Sequence, residues 1–358
     1  MKNILIISGE FPPSLGGAGV NAKSLVDTFI EEGHKVILLT KNHYTNDNEQ
    51  LSCISVGSRR KIWILRFIVE LLRLDLNVFD KIILNDPFSQ YIFSLIANSR
   101  YFERCYLYVH GVERRLECTS FLDKLFFFEK MTRRVYTSCH SIAFVSKYIK
   151  ETTVNYYGMA PENKSFIVSP LTHNIYSNTP INKDTIGRQL NLLSVSRVTI
   201  GKGYSDMYNI FKSLVKYKCV HWNIVGDGPY LDELKAKVIN DGLTSRVSFL
   251  GAINNENTLQ GLYANADVFW QMSLLEESYG LVYVEAALSG CKVIAYNRCG
   301  PKNIINKNNG FLVNDIDEVE PILSSIVSYD RNLVAESTKE FSYDAVRIKI
   351  LKFYGLRA

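Results

Sequence analysis

Short, continuous runs of apolar residues recur along the chain, and stretches with helical spacing separate them. The first run, Ile4–Ile7, contains no polar position, which is typical of a parallel strand buried on both faces. Apolar residues then recur at helical spacing at Ala22, Leu25, Val26, Phe29 and Ile30. Gly33 ends this helix and Val36–Thr40 forms the next apolar run. A strand–helix–strand unit of this kind predicts a parallel sheet.

The remaining runs predict two such series in tandem. The first series continues with strands at Ile82–Leu84, Tyr106–Val109 and Ile142–Val145. The second series comprises Leu192–Val195, Trp222–Val225, Val247–Leu250, Val268–Trp270 and Val293–Ala295. Residues 170–189 between them are polar and contain two prolines, and we interpret them as a linker. Ligands of such sheets bind beyond the carboxyl ends of the strands, which here predicts a site in the cleft between two α/β domains.

Length and composition fit this organisation and exclude several other classes. A chain of 358 residues suits two domains, and 47% hydrophobic with 22% charged residues is typical of a globular protein. The seven cysteines show no metal-site spacing, so we expect reduced thiols and a cytoplasmic protein. No apolar run approaches the ~20 residues of a spanning helix. The net charge of +5 permits contact with phosphates or anionic lipid but does not indicate nucleic acid.

A glycine-rich loop follows the first predicted strand. Gly16, Gly17 and Gly19 lie just before a helix, where glycine allows a close backbone approach and the helix N-terminus attracts phosphate. A tight turn without a ligand explains these glycines equally well. The dinucleotide fingerprint is absent, and Thr40 and Lys41 stand where an acidic residue would bind a ribose. The pattern therefore argues against a nicotinamide-dependent dehydrogenase.

Charged residues concentrate after two strands of the second series. Arg197 and Lys202 follow its first strand, where a planar fork and a point charge suit a diphosphate, although a solvated surface pair is the alternative. The segment LLEESYGLVYVEA places Glu277 before a helix that begins near Leu281, with Glu285 one turn inside it. Glu285 would accept hydrogen bonds from a ribose diol and Glu277 from a sugar hydroxyl. Taken alone, two glutamates at this spacing are more often without function.

Four segments together resemble glycosyltransferase family 4, whose members are retaining enzymes of the GT-B fold with two facing Rossmann-like domains. They are FPPSLGGAGV with the helix that ends in EEGHKVILLT, SVSRVTIGKGY, NIVGDGPYLDELK and ESYGLVYVEAALSGCKVIA. The resemblance spans residues 4 to 313 and keeps the family's order. It implies an acceptor-binding domain over residues 1–175, a nucleotide-sugar-binding domain over 190–340, and a C-terminal helix over 341–358 that returns towards the first domain.

The resemblance also implies the roles of individual residues. Gly16 and Gly17 would approach the donor, Arg197 and Lys202 would hold its diphosphate, and Glu285 would bind its ribose. Backbone N–H groups of Gly280, Leu281 and Val282 would bind phosphate. His110, in YLYVHG, would lie near the donor sugar and acceptor, and Glu277 would support charge at the reacting carbon. A buried structural histidine is the alternative for His110.

Two departures from the family pattern concern this region. Lys302 follows Pro301 where the family often has an acidic residue, and Tyr279 replaces the usual phenylalanine. The first change could alter donor preference, while neither removes a central group.

The implied reaction moves a sugar from a UDP- or GDP-sugar to a hydroxyl of a glycan or lipid-linked glycan. The implied pathway is bacterial surface polysaccharide synthesis, such as O-antigen, capsule or exopolysaccharide. No Asp-x-Asp motif appears where a metal would bridge the diphosphate, so we expect no cofactor and no obligatory metal. A sugar-nucleotide epimerase of similar fold and a catalytically inactive nucleotide-sugar-binding module are the alternatives.

Two basic and apolar stretches raise a separate hypothesis. Residues 59–74, RRKIWILRFIVELLRL, and residues 121–134, FLDKLFFFEKMTRR, are both typical of segments that dock on anionic lipid. Such docking would place the protein on the inner face of the plasma membrane. Buried helices with a basic end are the alternative for both stretches.

Overall fold

The computed structural model describes residues 1–12, 16–44, 48–57, 62–111, 127–158, 161–177, 189–326 and 328–356. The chain forms two compact units, of which unit 1 comprises Met1–Pro170 with Arg347–Ala358 and unit 2 comprises Leu171–Val346. Most of the predicted linker, residues 178–188, lies outside the described residues. The division therefore falls after Pro170 and again after Val346.

Unit 1 contains a parallel sheet of seven strands in the order β3-β2-β1-β4-β5-β6-β7. The strands are β1 Asn3–Ser8, β2 Lys35–Thr40, β3 Leu51–Ser55, β4 Lys81–Leu84, β5 Cys105–Val109, β6 Ser141–Phe144 and β7 Ser165–Ile167. Its helices are α1 Gly17–Glu31, α2 Ile62–Arg73, α3 Pro87–Ile96, α4 Phe128–Ser138 and α5 Lys147–Tyr157. Ile4, Leu5, Ile6 and Ile7 are fully buried, as the continuous apolar run of β1 predicts.

Unit 2 repeats this plan with six parallel strands in the order β10-β9-β8-β11-β12-β13. The strands are β8 Leu190–Val195, β9 Val220–Val225, β10 Val247–Gly251, β11 Val268–Gln271, β12 Lys292–Tyr296 and β13 Gly310–Val313. The helices are α6 Asn174–Ser177, α7 Tyr204–Leu214, α8 Leu231–Asn240, α9 Glu256–Asn265, α10 Leu281–Leu288, α11 Val319–Ser325 and α12 Arg331–Glu336. The last helix, α13 Tyr343–Phe353, begins in unit 2 and continues into unit 1 after Val346. Trp222 and Trp270 meet in its core with ring centroids 4.9 Å apart. The predicted α/β architecture with two parallel sheets is confirmed.

Each sheet has one position where the strand order reverses. In unit 1 this switch point lies between β1 and β4, and in unit 2 it lies between β8 and β11. Loops that leave the carboxyl ends of these strands diverge to opposite sides of the sheet, so that a crevice opens between them. The topology of each unit therefore predicts where its ligand site lies.

The end of helix α13 packs on unit 1. The ring of Tyr354 lies 5.3 Å from that of Phe29 and 5.1 Å from that of Tyr106, with edge-on and tilted geometry. Arg347 donates to Glu32 across 2.8 Å. Tyr354 is fully buried, so the aromatic core of unit 1 includes a residue from the far end of the chain.

Candidate active site

The loops at the switch point of unit 2 approach each other closely. Gly203, in the loop that follows β8, has a φ of 80°, and a Cβ built on it would lie 2.0 Å from the carbonyl oxygen of Met272, which follows β11. Only glycine fits both the backbone conformation and the space. The sequence Gly-Lys-Gly therefore brings Lys202 against the loop that carries Glu277.

Lys202 and Glu277, 75 residues apart in sequence, form an ion pair at this point. The Glu277 Oε1 atom accepts from the Lys202 ammonium and from the Ser273 hydroxyl at 2.8 Å. The side chains of Lys202 and Glu277 are 20% and 21% exposed, so both remain reachable from solvent. The structure thus brings together the cation expected at the diphosphate and the carboxylate expected at the transferred sugar.

Arg197 also follows β8, and its side chain is exposed. Among the residues that the structure describes, no acidic group pairs with its guanidinium. The planar fork is therefore available to a phosphate near the Lys202–Glu277 pair.

Helix α10 begins shortly after Glu277, with Gly280 as the residue that precedes its first residue, Leu281. The carbonyl of Glu277 accepts from the backbone N–H of Gly300 at 2.7 Å, which ties this turn to the loop after β12. Gly280 has a φ of 97° and provides no side-chain cap. The first N–H groups of a helix have no acceptor inside the helix, and its dipole is positive at this end. Gly280, Leu281 and Val282 therefore lie at a helix terminus of the kind that attracts phosphate, and their role in binding it stays a prediction.

Glu285 lies one turn further along α10 and is partly exposed. Its Oε2 atom accepts from the hydroxyl of the fully buried Tyr263 at 3.0 Å. Burial raises the pKa of Glu285 to about 7, the nearby Glu256 carboxylate also raises it, and the hydrogen bond from Tyr263 opposes this rise. The carboxylate is thus held in one orientation and poised near neutral pH.

His110 follows β5 in unit 1 and is partly exposed. Burial lowers the pKa of His110 to about 4, so the imidazole is neutral at pH 7. Its Nε2 atom lies 3.3 Å from the Asn85 Oδ1 atom, and Asn85 in turn donates to the Ala18 carbonyl at 2.8 Å. Because this donation fixes the amide orientation, Nε2 carries the imidazole proton and Nδ1 keeps its lone pair.

The predicted glycines lie at the start of α1 in the same unit. Gly16 is the residue before the helix, Gly17 is its first residue, and no side chain caps the terminus. A Cβ on Gly16 would lie 2.1 Å from a carboxylate oxygen of Glu10, while one on Gly17 would meet nothing within 4 Å. The Glu10 side chain is exposed and can move away from Gly16, so packing within the protein requires glycine at neither position, and an incoming ligand would be the reason for both.

Three residues of these sites were missed by the sequence analysis. Ser273 orients Glu277, Tyr263 orients Glu285, and Asn85 orients His110. Asn85 directly follows the predicted strand Ile82–Leu84, so its position at a carboxyl strand end was an available signal. No comparable signal marked Tyr263, which reaches Glu285 only through the packing of α9 on α10.

Two further findings concern the described part of the chain. It contains no group of three or more His, Cys, Asp or Glu side chains arranged to hold a metal ion. Within the same residues, no helix has both the length and the apolarity needed to cross a membrane.

Comparison with known proteins identifies related sequences for both units. The family described as Glycosyltransferase Family 4 matches residues 15–170, and the family described as Glycosyl transferases group 1 matches residues 181–326. The chain is 26% identical over 344 residues to an uncharacterized glycosyltransferase of Methanocaldococcus jannaschii, covering 87% of this chain and 84% of that protein.

A shorter match and a solved structure add to this picture. The chain is 25% identical over 185 residues to a GDP-mannose-dependent alpha-(1-6)-phosphatidylinositol monomannoside mannosyltransferase of Mycobacterium tuberculosis, covering 47% of this chain and 48% of that protein. The Anabaena protein HepE, solved with UDP and glucose, has the same fold with a TM-score of 0.75 at 16% identity, covering 99% of this chain and all of that one.

Proposed function

Because this chain belongs to glycosyltransferase family 4 and is a nucleotide-sugar-dependent enzyme of the GT-B fold, we propose that it transfers a sugar with retention of configuration. The donor is a UDP- or GDP-sugar, and the acceptor is a hydroxyl of a glycan or lipid-linked glycan. UDP in the HepE structure and GDP-mannose in the name of the mycobacterial relative support these two donor classes. The pathway that we propose is the synthesis of a bacterial surface polysaccharide such as O-antigen, capsule or exopolysaccharide.

The Lys202–Glu277 ion pair beside the start of α10 is the observation that carries this proposal. A nucleotide sugar presents a diphosphate next to a sugar, and this pair presents a cation next to a carboxylate in the same order. Arg197 and the N–H groups of Gly280, Leu281 and Val282 complete the phosphate site. Glu285 accepts hydrogen bonds from the ribose diol.

Retention follows if the acceptor attacks the same face of the anomeric carbon that the diphosphate leaves. The bond from that carbon to the phosphate oxygen breaks, the acceptor oxygen bonds to the carbon, and the departing phosphate oxygen takes the acceptor proton. Glu277 stabilises the positive charge that develops on the sugar, while Lys202 and Arg197 stabilise the negative charge on the leaving group. His110 takes part as a neutral hydrogen-bonding group because its pKa lies at about 4. We propose no obligatory metal for these steps.

Helix α2 supports peripheral attachment to the inner face of the plasma membrane. Leu65, Val69 and Leu72 follow one helical face and are 65%, 43% and 64% exposed. Arg66 and Arg73 are exposed beside this stripe. Arg73 pairs with Glu70 at 2.8 Å, so the helix presents one net positive charge here, which suits an anionic lipid surface. In the second basic stretch, residues 121–126 lie outside the described residues, and the start of α4 shows no comparable apolar face.

A donor screen tests the catalytic proposal. The purified protein is incubated with UDP-, GDP- and ADP-sugars, each with and without membrane extract as acceptor, and nucleoside diphosphate release is measured. We expect one UDP- or GDP-sugar to give release that membrane extract accelerates, and an α-linked product from an α-linked donor. Inversion at the anomeric carbon would refute the retaining mechanism, and isomerised donor without transfer would refute the transferase assignment.

Vesicle sedimentation tests the membrane proposal. The protein should sediment with vesicles that contain phosphatidylglycerol at low salt and should be released at high salt, because screening weakens charge attraction. The double substitution Leu65→Ser with Leu72→Ser should abolish this binding. Val78→Ser removes an apolar residue that is 53% exposed and lies outside α2, and it should have no effect. Equal recovery with neutral and anionic vesicles would contradict the proposal.

A further inference from the structure

A pocket of about 310 Å³ opens at the switch point of unit 1. It is lined by Gly9, Glu10, Lys41, Trp63, Asp86, Pro87 and Phe88. Gly9 follows β1, Lys41 follows β2 and Asp86 lies just beyond β4, so the pocket occupies the place where the topology predicts a ligand site. Its volume lies at the small end of the range for ligand pockets, which suits one monosaccharide ring.

One wall of the pocket is aromatic. The rings of Trp63 and Phe88 lie 4.6 Å apart, and the buried Phe67 supports Phe88 with its ring at 5.0 Å. Trp63 keeps part of its surface exposed. A flat aromatic surface beside polar groups matches a pyranose, which has an apolar C–H face and a rim of hydroxyls.

The pocket also contains two charged groups that form no ion pair with the described residues. The Lys41 ammonium lies 4.9 Å from the centre of the Trp63 ring, and no carboxylate among the described residues pairs with it. The carboxylate of Glu10 likewise has no hydrogen-bonding partner within the described ranges. Asp86 differs, because its buried carboxylate already accepts from Ser8, the loop backbone and Ser89.

Helix α2 connects this pocket to the exposed apolar stripe described above. Trp63 and Phe67 lie on the side of the helix that faces the unit, and Leu65, Val69 and Leu72 lie on the opposite side. A helix with its side chains is about 10–12 Å across. The aromatic wall therefore lies about one helix diameter from a surface suited to lipid, a separation that the headgroup of a glycolipid can span.

We propose that the Trp63 pocket binds the acceptor, and that this acceptor is a sugar joined to a membrane lipid through an anionic phosphate group. The sugar ring lies against Trp63, its hydroxyls donate to Glu10, and the phosphate pairs with Lys41. The stripe on α2 contacts the lipid from which the headgroup projects. This inference rests on the proposed transferase function and adds the acceptor class and the residues that select it.

Tryptophan fluorescence tests the pocket directly. The chain has three tryptophans, and Trp222 and Trp270 are fully buried in unit 2, so a ligand in unit 1 can reach only Trp63. The protein is titrated with methyl glycosides of glucose, galactose, mannose and N-acetylglucosamine and with the matching sugar 1-phosphates. We expect saturable emission changes in which one phosphate binds at least about tenfold more tightly than its neutral counterpart, as for a hydrogen bond to a charged group.

Matched variants assign the signal. Lys41→Gln should remove the preference for the phosphate, whereas Lys35→Gln removes an exposed lysine from the other end of strand β2 and should leave it intact. Trp63→Phe should abolish the signal. Lys202→Ala should leave it unchanged, because that residue belongs to the donor site. If no sugar phosphate gives a saturable emission change, or if the Lys35 and Lys41 variants lose the preference for the phosphate equally, the proposed binding in this pocket is refuted.

A further comparison tests the lipid. A polyprenyl phosphate-linked sugar in phosphatidylglycerol vesicles should bind at least about tenfold more tightly than the free sugar phosphate, since the two contacts act together. Leu65→Ser with Leu72→Ser should abolish this gain and retain the response to the free phosphate. Equal affinities for the two ligands would overturn the lipid assignment. Nucleotide-sugar turnover is measured separately, so failure of this inference and failure of the transferase proposal are distinguishable.

Discussion

The substitution Glu277→Gln should have opposite effects on product binding and on turnover. In the ligand-free protein, the Lys202 ammonium is held by Glu277, so an incoming diphosphate must share it with a carboxylate of the same sign as itself. Glutamine keeps the size of the side chain and a hydrogen-bond acceptor for Ser273. It removes the negative charge that competes for Lys202.

The size of the effect follows from the exposure of the pair. Two unit charges 4 Å apart interact by about 1 kcal/mol in bulk water and about 4 kcal/mol at the effective dielectric constant of a protein surface. With about a fifth of each side chain exposed, and with water at the mouth of the site, we expect a gain of about 1–2 kcal/mol. Nucleoside diphosphate should therefore bind roughly five- to thirtyfold more tightly to the variant. Turnover should fall by about 10²–10³ because the transition state loses its carboxylate.

Isothermal titration with UDP and GDP measures the first effect, and donor-saturation kinetics measure the second. Glu276→Gln is the matched control, because it removes the same charge from the adjacent, exposed position. It should change both quantities less than about twofold, as expected for a screened surface charge. Unchanged or weaker diphosphate binding to a folded Glu277→Gln protein would show that Lys202 does not hold the diphosphate.

Four further predictions concern the same unit. Lys202→Ala should weaken donor binding by about 1.5–3 kcal/mol, the range for hydrogen bonds to charged groups. EDTA should leave turnover of the native protein intact, and loss of turnover in EDTA with recovery in magnesium would contradict the metal-free proposal. Glu285→Gln should raise the donor KM with little change in kcat, because the ribose is bound equally in ground and transition states. Since the pKa of Glu285 is raised to about 7, donor affinity should rise as pH increases through 7, and the contribution of this group to folding stability should decline from about pH 4.5 to about 7. Tyr263→Phe removes the hydrogen bond that lowers this pKa, so it should move the inflections of affinity and of stability to higher pH. An unmoved pH profile of the donor KM would refute the role of Tyr263. Cys299 has a φ of 54° and a ψ of −144°, which only glycine adopts readily, so Cys299→Gly should stabilise the protein to heat by about 1 kcal/mol, and a lower melting temperature would argue against strain there.

The strands inside each sheet could be predicted because burial on both faces makes them continuously apolar. Three strands were missed, namely β3, β7 and β13, and all three lie at an edge of their sheet. In β7, Phe166 and Ile167 are 47% and 46% exposed, and the strand has only three residues. An edge strand pairs on one side only, so its sequence carries less of the pattern by which buried strands are detected, and of the four edge strands only β10 was predicted.

The charged groups of the donor site were predictable because they follow strand ends and match family segments. Their pairing was not, since the contact between Lys202 and Glu277 depends on which strands are neighbours and on the close approach at Gly203. The Trp63 pocket was missed for a different reason. The polar residues of α2, Arg66, Glu70 and Arg73, mark one side of the helix. The apolar residues on the two flanks of that side look alike in sequence, so periodicity alone did not separate the flank that packs on unit 1 from the flank that remains exposed.

The position of Tyr354 in the core of unit 1 affects how this protein is made. Ribosomes add about 5–20 residues per second, so about 10–40 s separate the synthesis of Pro170 from that of Tyr354. Throughout that interval, the rings of Phe29 and Tyr106 lack the partner that covers them in the finished protein. The nascent first unit therefore keeps this aromatic surface uncovered until unit 2 has been synthesised, and the core of unit 1 closes only after that point. An isolated fragment of residues 1–170 would remain in this uncovered state and would be prone to aggregate.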